Sequence, residues 1–292
     1  MIDKGNRVTS LRRRTAATLA AAAAAAAAAA VLSAGCATPG PAPSTVSAAF
    51  AGKPYVLLGE VHDNAAGQRQ RLAALTRAVE QGWRPAIAME QFDRERQADI
   101  DRARRERPRD ADYLIAQAGG GAWQWPLYRP VVALALQHDL PLVAANLSRA
   151  DAARIVRVGL DGLFSADEQQ RLGLTGALPP DLVAAQTAVL DGGHCGNFPK
   201  AMLPGMLAAQ AARDAVMAQA LRPHAGRGAV LIAGNGHVRR DVGVPRWLPD
   251  EPGKVLSVGY VENAPTDGEF DMAVVVPAVE RKDPCLQAKP AG

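Results

Sequence analysis

Two stretches of the sequence decide the fold. Tyr55–His62 reads Tyr-Val-Leu-Leu-Gly-Glu-Val-His, and Val230–His237 reads Val-Leu-Ile-Ala-Gly-Asn-Gly-His. In each stretch a short apolar run, typical of a strand buried on both faces, ends in a Gly-x-x-His sequence. Parallel strands of an open α/β sheet end at a common edge, and ligands bind at that edge. The repeated pattern therefore predicts two imidazoles at one edge of a parallel sheet.

The rest of the chain alternates apolar runs with amphipathic helices. Further strands are predicted at Ala86–Met89, Leu142–Ala145, Val255–Tyr260 and Met272–Val276. A helix whose Leu72, Leu75 and Val79 share one face joins the first two strands, and another is expected from about Pro130 to His138.

Strand patterns are absent between residues 151 and 222, where helical patterns dominate. We therefore predict an α/β fold with a mostly parallel central sheet flanked by helices. The α/β domain would comprise residues 48–150 and 223–285, and a small helical insertion over residues 151–222 would cap the carboxyl edge of the sheet.

The first 35 residues have the pattern of a lipoprotein signal peptide. Arg12–Arg14 precede an alanine-rich run, and Val31–Cys36 reads Val-Leu-Ser-Ala-Gly-Cys. We expect Cys36 to carry acyl chains, although Ser33 stands where leucine is more usual. Ala37 favours sorting to the outer membrane, facing the periplasm or the cell surface. Residues 36–47, rich in proline, predict a flexible tether.

Charge argues against a nucleic-acid partner. The formal net charge is +4, but residues 1–35 hold five basic side chains and one acidic one, so 28 of each sign remain beyond them. A nucleic-acid-binding domain needs a basic surface, which a neutral domain gives no reason to expect.

Besides Cys36, two cysteines follow the predicted leader, Cys195 and Cys285. Disulfides persist outside the cytoplasm, so we predict a bridge that ties the carboxyl-terminal segment to a loop near the middle of the chain. The alternative is a pair of buried free thiols.

Histidine and carboxylate side chains are predicted to gather at the sheet edge. His62, His237 and Glu90, which follows the strand ending at Met89, suit either a divalent metal or acid–base catalysis. Arg213 and Arg239 could each bind a carboxylate of a ligand. The alternative for both arginines is an internal ion pair with Asp214, Asp241 or Glu90.

Six motifs carry a resemblance to a known family. They are Leu57–Asn64, Ala88–Phe92, Trp125–Pro130, Ala145–Ser148, Gln210–Asp214 and Ala233–Arg239. In this order, over about residues 48–280, they resemble the ChaN-like haem-binding lipoproteins. That family is similar to the wider Tiki, TraB and erythromycin-esterase group, in which paired Gly-x-x-His histidines and a glutamate resemble a metal-dependent or hydrolytic site.

The resemblance implies haem bound between two copies of the chain, with a tyrosinate on each iron and basic groups near the propionates. Tyr55 and Tyr260 lie in predicted strands and are expected in the core. Of the remaining tyrosines, Tyr113 and Tyr128, the second lies beside Trp123 and Trp125, which could enclose a flat ligand. The alternative for Tyr128 is packing at the start of a helix.

The sequence therefore supports two functions. The first is a membrane-tethered, extracytoplasmic haem-binding protein of iron uptake, with an outer-membrane haem receptor as a partner. Its haem would be held by Tyr128, His62, His237 and Arg239. The second is a metal-dependent hydrolase that uses Arg213 with the predicted metal ligands His62, Glu90 and His237.

Overall fold

The computed structural model describes residues 41–249, 251, 253–282 and 285. The predicted signal peptide, the lipidation site Cys36 and the first residues of the tether lie outside the described residues. No helix in the described part of the chain is long and apolar enough to cross a membrane.

One parallel sheet of six strands lies at the centre of the fold. Its strands are β1 (Tyr55–Leu58), β2 (Ala86–Asp93), β3 (Leu142–Asn146), β4 (Ala229–Ile232), β5 (Val255–Val261) and β6 (Met272–Val275). The order across the sheet is β3-β2-β4-β1-β5-β6, and every pairing is parallel. The predicted α/β fold with a parallel sheet is confirmed.

Helices occupy most of the segments between strands. They are α1 (Pro43–Ala48), α2 (Ala65–Glu80), α3 (Gln97–Glu106), α4 (Ala111–Ala118), α5 (Trp125–Gln137), α6 (Arg149–Val158), α7 (Ala166–Leu172), α8 (Pro180–Gly193), α9 (Leu203–Leu221) and α10 (Asn235–Val238). Motif residues set two of the starts, because the side chains of Asn64 and Ser148 accept hydrogen bonds from the first turns of α2 and α6.

The sheet is covered on both faces, which explains why its strands are apolar throughout. Val56 and Leu58 of β1 face one core, to which α2, α3, α4 and α5 contribute. Leu57, between them, faces the opposite core with Met217 and Leu221 of α9. Alternate side chains of a strand point to opposite faces, so both sets must be apolar here.

Residues 151–222 are helical, as predicted, but they do more than cap the sheet edge. The second half of α9 packs on the face of the sheet, whereas its first half forms a third core with Ala152 and Ile155 of α6 and with Leu172 of α7. A helix of 19 residues reaches from one core into the next. The described residues accordingly belong to one compact unit.

Two local predictions are wrong. The tether does not extend to residue 47, because Pro43 starts helix α1 and Val46 is buried against the core that contains α2. Helix α5 begins at Trp125 rather than near Pro130. Pro126 in its first turn starts the helix, since a proline there forfeits no helical hydrogen bond.

The predicted disulfide is present. Cys195 follows α8 and is bonded to Cys285, 90 residues later. The carboxyl-terminal segment is thereby joined to the loop between α8 and α9.

The two Gly-x-x-His sequences interlock because β1 and β4 are adjacent. A methyl group on Gly59 would lie 2.7 Å from Cγ2 of Val238 and would also overlap Asn235. Conversely, a methyl group on Gly234 would lie 3.0 Å from Cε1 of His62. Each motif thus needs its glycine because the other motif approaches it closely.

We expect Gly59→Ala to lower the free energy of unfolding by about 1–3 kcal/mol, because the added methyl group overpacks this junction. Gly236→Ala is the matched control, since no atom lies within 4 Å of a methyl group there. Urea unfolding of both variants tests the interlock. Equal unfolding midpoints for the two variants would contradict it.

Candidate functional site

The residues that follow β1, β2 and β4 meet at one edge of the sheet. Glu90 accepts a hydrogen bond from the backbone N–H of Gly234 at 2.8 Å, and its other oxygen lies 3.7 Å from Nε2 of His237. The ring of His62 also lies close to Gly234, since a methyl group on this glycine would lie 3.0 Å from Cε1 of His62. The structure therefore brings together His62, Glu90 and His237, as the strand positions predict.

Glu60 is the most heavily bonded side chain at this edge. It is 1% exposed and accepts hydrogen bonds from five side chains. The donors are Nδ1 of His62 at 2.8 Å, the hydroxyl of Tyr128 at 2.7 Å, Nε2 of Gln68 at 3.0 Å, Nε2 of Gln91 at 3.1 Å, and Arg71. Its carboxylate is thus fully coordinated by the protein itself.

Arg71 supplies the charge that balances Glu60. Its guanidinium is buried to the same extent as the carboxylate. Burial alone would raise the pKa of Glu60, but the charge of Arg71 and the bonds from His62 and Tyr128 outweigh burial and hold this pKa at about 2. Glu60 is therefore ionised across the physiological pH range.

The sequence patterns did not predict Glu60, Gln68 and Arg71 as members of the site. A signal was available, because Gln68 and Arg71 fall on the same helical stripe as Leu75 and Val79 of α2. A polar pair on an otherwise buried stripe indicates a buried polar partner.

The geometry does not favour the prediction that Tyr128 binds haem iron. The side chain is fully buried, and its hydroxyl donates to Glu60. Burial and the negative charge of Glu60 raise the pKa of Tyr128, so a phenolate is disfavoured. The geometry agrees with the alternative, a packing role at the start of a helix, since Trp123 and Trp125 contact the tyrosine ring edge-on.

His62 lies at the surface of the cluster. Its side chain is 51% exposed, and the ring meets Trp123 edge-on at 5.0 Å between centroids. Partial burial lowers its pKa, but the bond to Glu60 and the charge of Glu90 raise it above the ordinary value. Glu60 thus fixes the ring with Nδ1 as the donor.

His237 lies between two carboxylates. Its Nδ1 donates to Asp214 of α9 at 2.6 Å, and Nε2 faces Glu90. Burial acts to lower the pKa of His237, but the charges of Asp214 and Glu90 prevail and raise it to about 9. Burial raises the pKa of Asp214 to about 6. At neutral pH the pair is an imidazolium held by a carboxylate.

The predicted divalent-metal site is not supported. The described residues contain no group of three histidine, cysteine, aspartate or glutamate side chains arranged to hold a metal ion. A physical reason is that His237 is protonated, and an imidazolium has no lone pair to donate. Glu90 is also engaged by the N–H of Gly234.

The two predicted arginines differ in their placement. Arg239 forms a two-pronged ion pair with Asp241, at 2.6 and 2.9 Å, and a second pair with Glu269. It therefore matches the internal-ion-pair alternative. Arg213 forms no ion pair among the described residues, and it lines a groove together with His237.

This groove, of about 510 Å³, runs between helices α6 and α9. We call it the α6–α9 groove. Its walls are mostly apolar, and its lining residues are Arg149, Ala152, Ala153, Val156, Arg157, Met202, Met206, Ala209, Gln210, Arg213 and His237. Close approach of the helices is possible because Gly205 lies against the backbone of Val156.

Three arginines border the α6–α9 groove without an ion-pair partner among the described residues. Arg149, Arg157 and Arg213 form no salt bridge with any described residue, and Arg213 makes one long hydrogen bond, to Asn146 at 3.4 Å. An apolar groove bordered by unpaired guanidinium groups suits a ligand that is apolar and anionic. Of the residues predicted to bind a cofactor, His237 lines this groove, whereas Tyr128, His62 and Arg239 do not.

Comparison with known proteins agrees with this fold. The sequence model of the family described as haem-binding uptake, Tiki superfamily, ChaN matches residues 46–248. The chain belongs to the ChaN family. The resemblance predicted from its six motifs is thereby confirmed, and the family binds haem.

A solved structure with a TM-score above 0.5 shows the same fold, and two further matches fall below that score. ChaN of Campylobacter jejuni, whose structure describes cofacial haem binding, is 21% identical with a TM-score of 0.63, over 76% of this chain and 87% of that one. The type III effector HopBA1 is 13% identical with a TM-score of 0.45, over 82% and 95%. Erythromycin esterase EreC is 13% identical with a TM-score of 0.43, over 82% and 80%. The search of curated proteins finds no match.

Replacing Glu60 by glutamine should lower the free energy of unfolding by about 3–5 kcal/mol, because Arg71 would remain buried without its counter-charge. The pH dependence should change as well. The folded pKa of about 2 lies below the ordinary 4.5, so Glu60 stabilises the wild type above pH 4.5 and loses this effect as the pH falls towards 2. In urea unfolding, the unfolding free energy of Glu60→Gln should therefore lack the decrease that Glu60 causes in the wild type between pH 4.5 and 2.

Asp112→Asn is the control for this experiment. It breaks an ion pair with Arg129, which is also two-pronged but lies in solvent. Solvent screens that pair, so the urea midpoint should stay near that of the wild type. Similar losses in both variants would contradict the role given to Glu60.

Asp214→Asn should lower the pKa of His237, about 9 in the wild type, by about 1–3 units, because an adjacent negative charge is lost. NMR titration of the His237 ring protons measures this pKa. Asp241→Asn is the control, since Asp241 is bonded to Arg239 and not to His237. An unchanged pKa in Asp214→Asn would show that Glu90 alone holds the proton.

Proposed function

We propose that this protein binds haem in the α6–α9 groove and serves haem uptake as a lipoprotein of the cell envelope. The observation that carries the haem site is the combination of apolar walls with three unpaired arginines. Family membership supports haem as the ligand, since the ChaN family is described by haem-binding uptake.

The dimensions and lining of the groove fit a macrocycle. Its volume of about 510 Å³ falls within the range of about 300–1,000 Å³ that is usual for small-molecule sites. Ala152, Ala153 and Val156 form an apolar wall on α6, and further apolar lining comes from Met206 of α9 and from Met202, which precedes that helix. Methionine side chains adapt to irregular ligand surfaces, so this wall can close on a ring.

The arginines fit the propionates. A guanidinium binds a carboxylate with two parallel hydrogen bonds, and Arg149 and Arg157 lie on α6 with their side chains in solvent. Because neither has an ion-pair partner to give up, binding a propionate costs no existing contact.

A tyrosinate does not fit the groove of this chain. Tyr55, Tyr128 and Tyr260 are buried in the core, and the hydroxyl of Tyr113 donates to Glu106. Arg107 also stacks over the ring of Tyr113. A different side chain must therefore bind iron if haem occupies the groove.

The remaining parts of the proposal concern assembly and location. The groove is open to solvent along α6, which leaves room for a second copy to enclose the haem, and the C. jejuni relative is described by cofacial haem binding. The leader pattern up to Cys36 supports lipid anchoring and a location at the outer membrane. A haem receptor of that membrane is the partner that such a location favours.

The test is a titration of the purified protein with haemin, followed by Soret absorption and by mass in solution. Wild type should show saturable binding, with a rise in mass if two copies share the haem. Ala153→Trp should weaken binding more than about tenfold, because the indole would fill the groove. Ala150→Trp, exposed on the same helix but outside the groove, should bind as the wild type does.

A second pair of variants tests the charges. Arg157→Gln should weaken binding about tenfold, because one charge-assisted bond to a propionate is lost. Arg154→Gln removes an exposed arginine of the same helix that does not line the groove, and it should leave binding unchanged. Absence of saturable binding to the wild type would overturn the proposed function. Equal binding by all four variants would move the haem site away from this groove.

A further inference from the structure

The disulfide between Cys195 and Cys285 joins two segments that flank the candidate site. The first is the loop of residues 194–199, between α8 and α9. Just before this loop Leu190, in the last turn of α8, lines a small cavity that shares lining residues with the α6–α9 groove. Just after the loop Met202 lines the groove itself. A movement of the loop would therefore reach the wall of the groove.

The second segment is residues 276–282, which follow β6 and which we call the carboxyl-terminal strap. Arg281 of the strap forms ion pairs with Asp63, the residue after His62, and with Glu262, the residue after β5. These contacts do not involve the disulfide. The strap is therefore held at the edge of the sheet by bonds of its own.

The loop has no comparable bonds to the rest of the fold. In the described part of the chain, every hydrogen bond of residues 194–199 ends on a residue between 190 and 203, and none of the six residues forms an ion pair. Asn197, for example, donates to the carbonyl oxygen of Cys195, and His194 donates to that of Leu190. The disulfide is thus the bond that fastens this loop to the strap.

The disulfide is open to attack by a thiol, and the loop has a reason to relax once the bond is cut. Cys285 is exposed and Cys195 is partly exposed. Cys195 has a φ of 61° and Gly196 a φ of 72°. Both values lie in the left-handed region, which is unfavourable for a residue that carries a Cβ atom. Cutting the disulfide lets Cys195 leave that conformation.

We propose that the disulfide is a redox-sensitive clasp, and that its reduction by a dithiol frees the loop and weakens the retention of a ligand in the α6–α9 groove. A thiolate of the dithiol attacks one sulfur of the disulfide, and the second thiol then displaces it from the mixed disulfide. The S–S bond accepts two electrons and two protons and becomes two thiols, while the dithiol is oxidised to a disulfide. The part that concerns the ligand rests on the proposed function.

The effect on the groove should be local. Met202 is 48% exposed, so few contacts hold it in the groove wall apart from its place at the end of the loop. Gly205, three residues further on, lies against the backbone of Val156 in α6. The movement should therefore end near Gly205, and the rest of α9 should stay in place.

The first experiment is hydrogen–deuterium exchange of the oxidised wild type with and without dithiothreitol. Exchange over residues 194–202 should become about tenfold faster or more on reduction, because the loop opens more often once it is released. The carboxyl-terminal strap and the part of α9 beyond Gly205 should change little. The variant Cys195→Ser/Cys285→Ser is the control. It should exchange as the reduced wild type does and should not respond to dithiothreitol.

The second experiment measures haemin affinity without a reductant, since a dithiol would also reduce the iron. Cys195→Ser/Cys285→Ser should bind haemin about fivefold more weakly than the oxidised wild type, because the apolar contact of Met202 is lost. Met202→Ala should weaken binding in the wild type but not further in the double-serine variant. A merely structural role of the disulfide would leave these two losses additive. Circular dichroism of each variant controls for folding.

Three results are decisive. Equal exchange of residues 194–202 in the oxidised and reduced wild type would overturn the clasp, whatever the fate of the serine variant. Equal haemin affinity of the oxidised wild type and the folded double-serine variant would overturn its control of the groove and leave the proposed function standing. A wild type that binds no haemin would overturn the proposed function, whereas the exchange experiment would still decide whether reduction frees the loop.

Discussion

The rest of the candidate site depends on one buried ion pair, that of Glu60 with Arg71. Both side chains are 1% exposed, so the carboxylate must be stabilised wholly by protein groups. Arg71 comes from α2, Gln91 from the end of β2 and Tyr128 from α5. A single charge at the end of β1 thereby binds the end of β2 and two of the helices that cover one face of the sheet, and it sets the tautomer of His62.

This arrangement divides the sheet edge into two parts with different chemistry. Around Glu60 five side chains donate to the buried carboxylate, and the polar groups serve the fold. Around His237 the groups face a groove, because Asp214 and Arg213 come from α9, whose first half leaves the sheet to pack against α6. Gly234 lies between the two parts. Its position is close to the ring of His62, and its backbone N–H donates to Glu90.

The strands and their polar ends were predictable because both follow from local patterns. An apolar run of four residues and a glycine that must accept a close neighbour can both be recognised within a segment of eight residues. The hydrogen bond of Tyr128 was not predictable because its partner Glu60 is 68 residues away, and adjacency to two tryptophans does not reveal a buried carboxylate. The α6–α9 groove was not predicted for a similar reason. Its walls come from two separate helices, and an arginine is known to be unpaired only when every neighbour is known.

The charges of the groove match those of the proposed ligand. At its inner end Arg213 and the His237 imidazolium are positive, and Asp214 and Glu90 supply two negative charges beside them. The charges of these four groups sum to zero, which leaves those of Arg149 and Arg157 uncompensated at the groove. Two propionates carry two negative charges, so haem would neutralise the groove without disturbing the inner cluster. The buried carboxylates that hold His237 protonated also keep its nitrogens from iron.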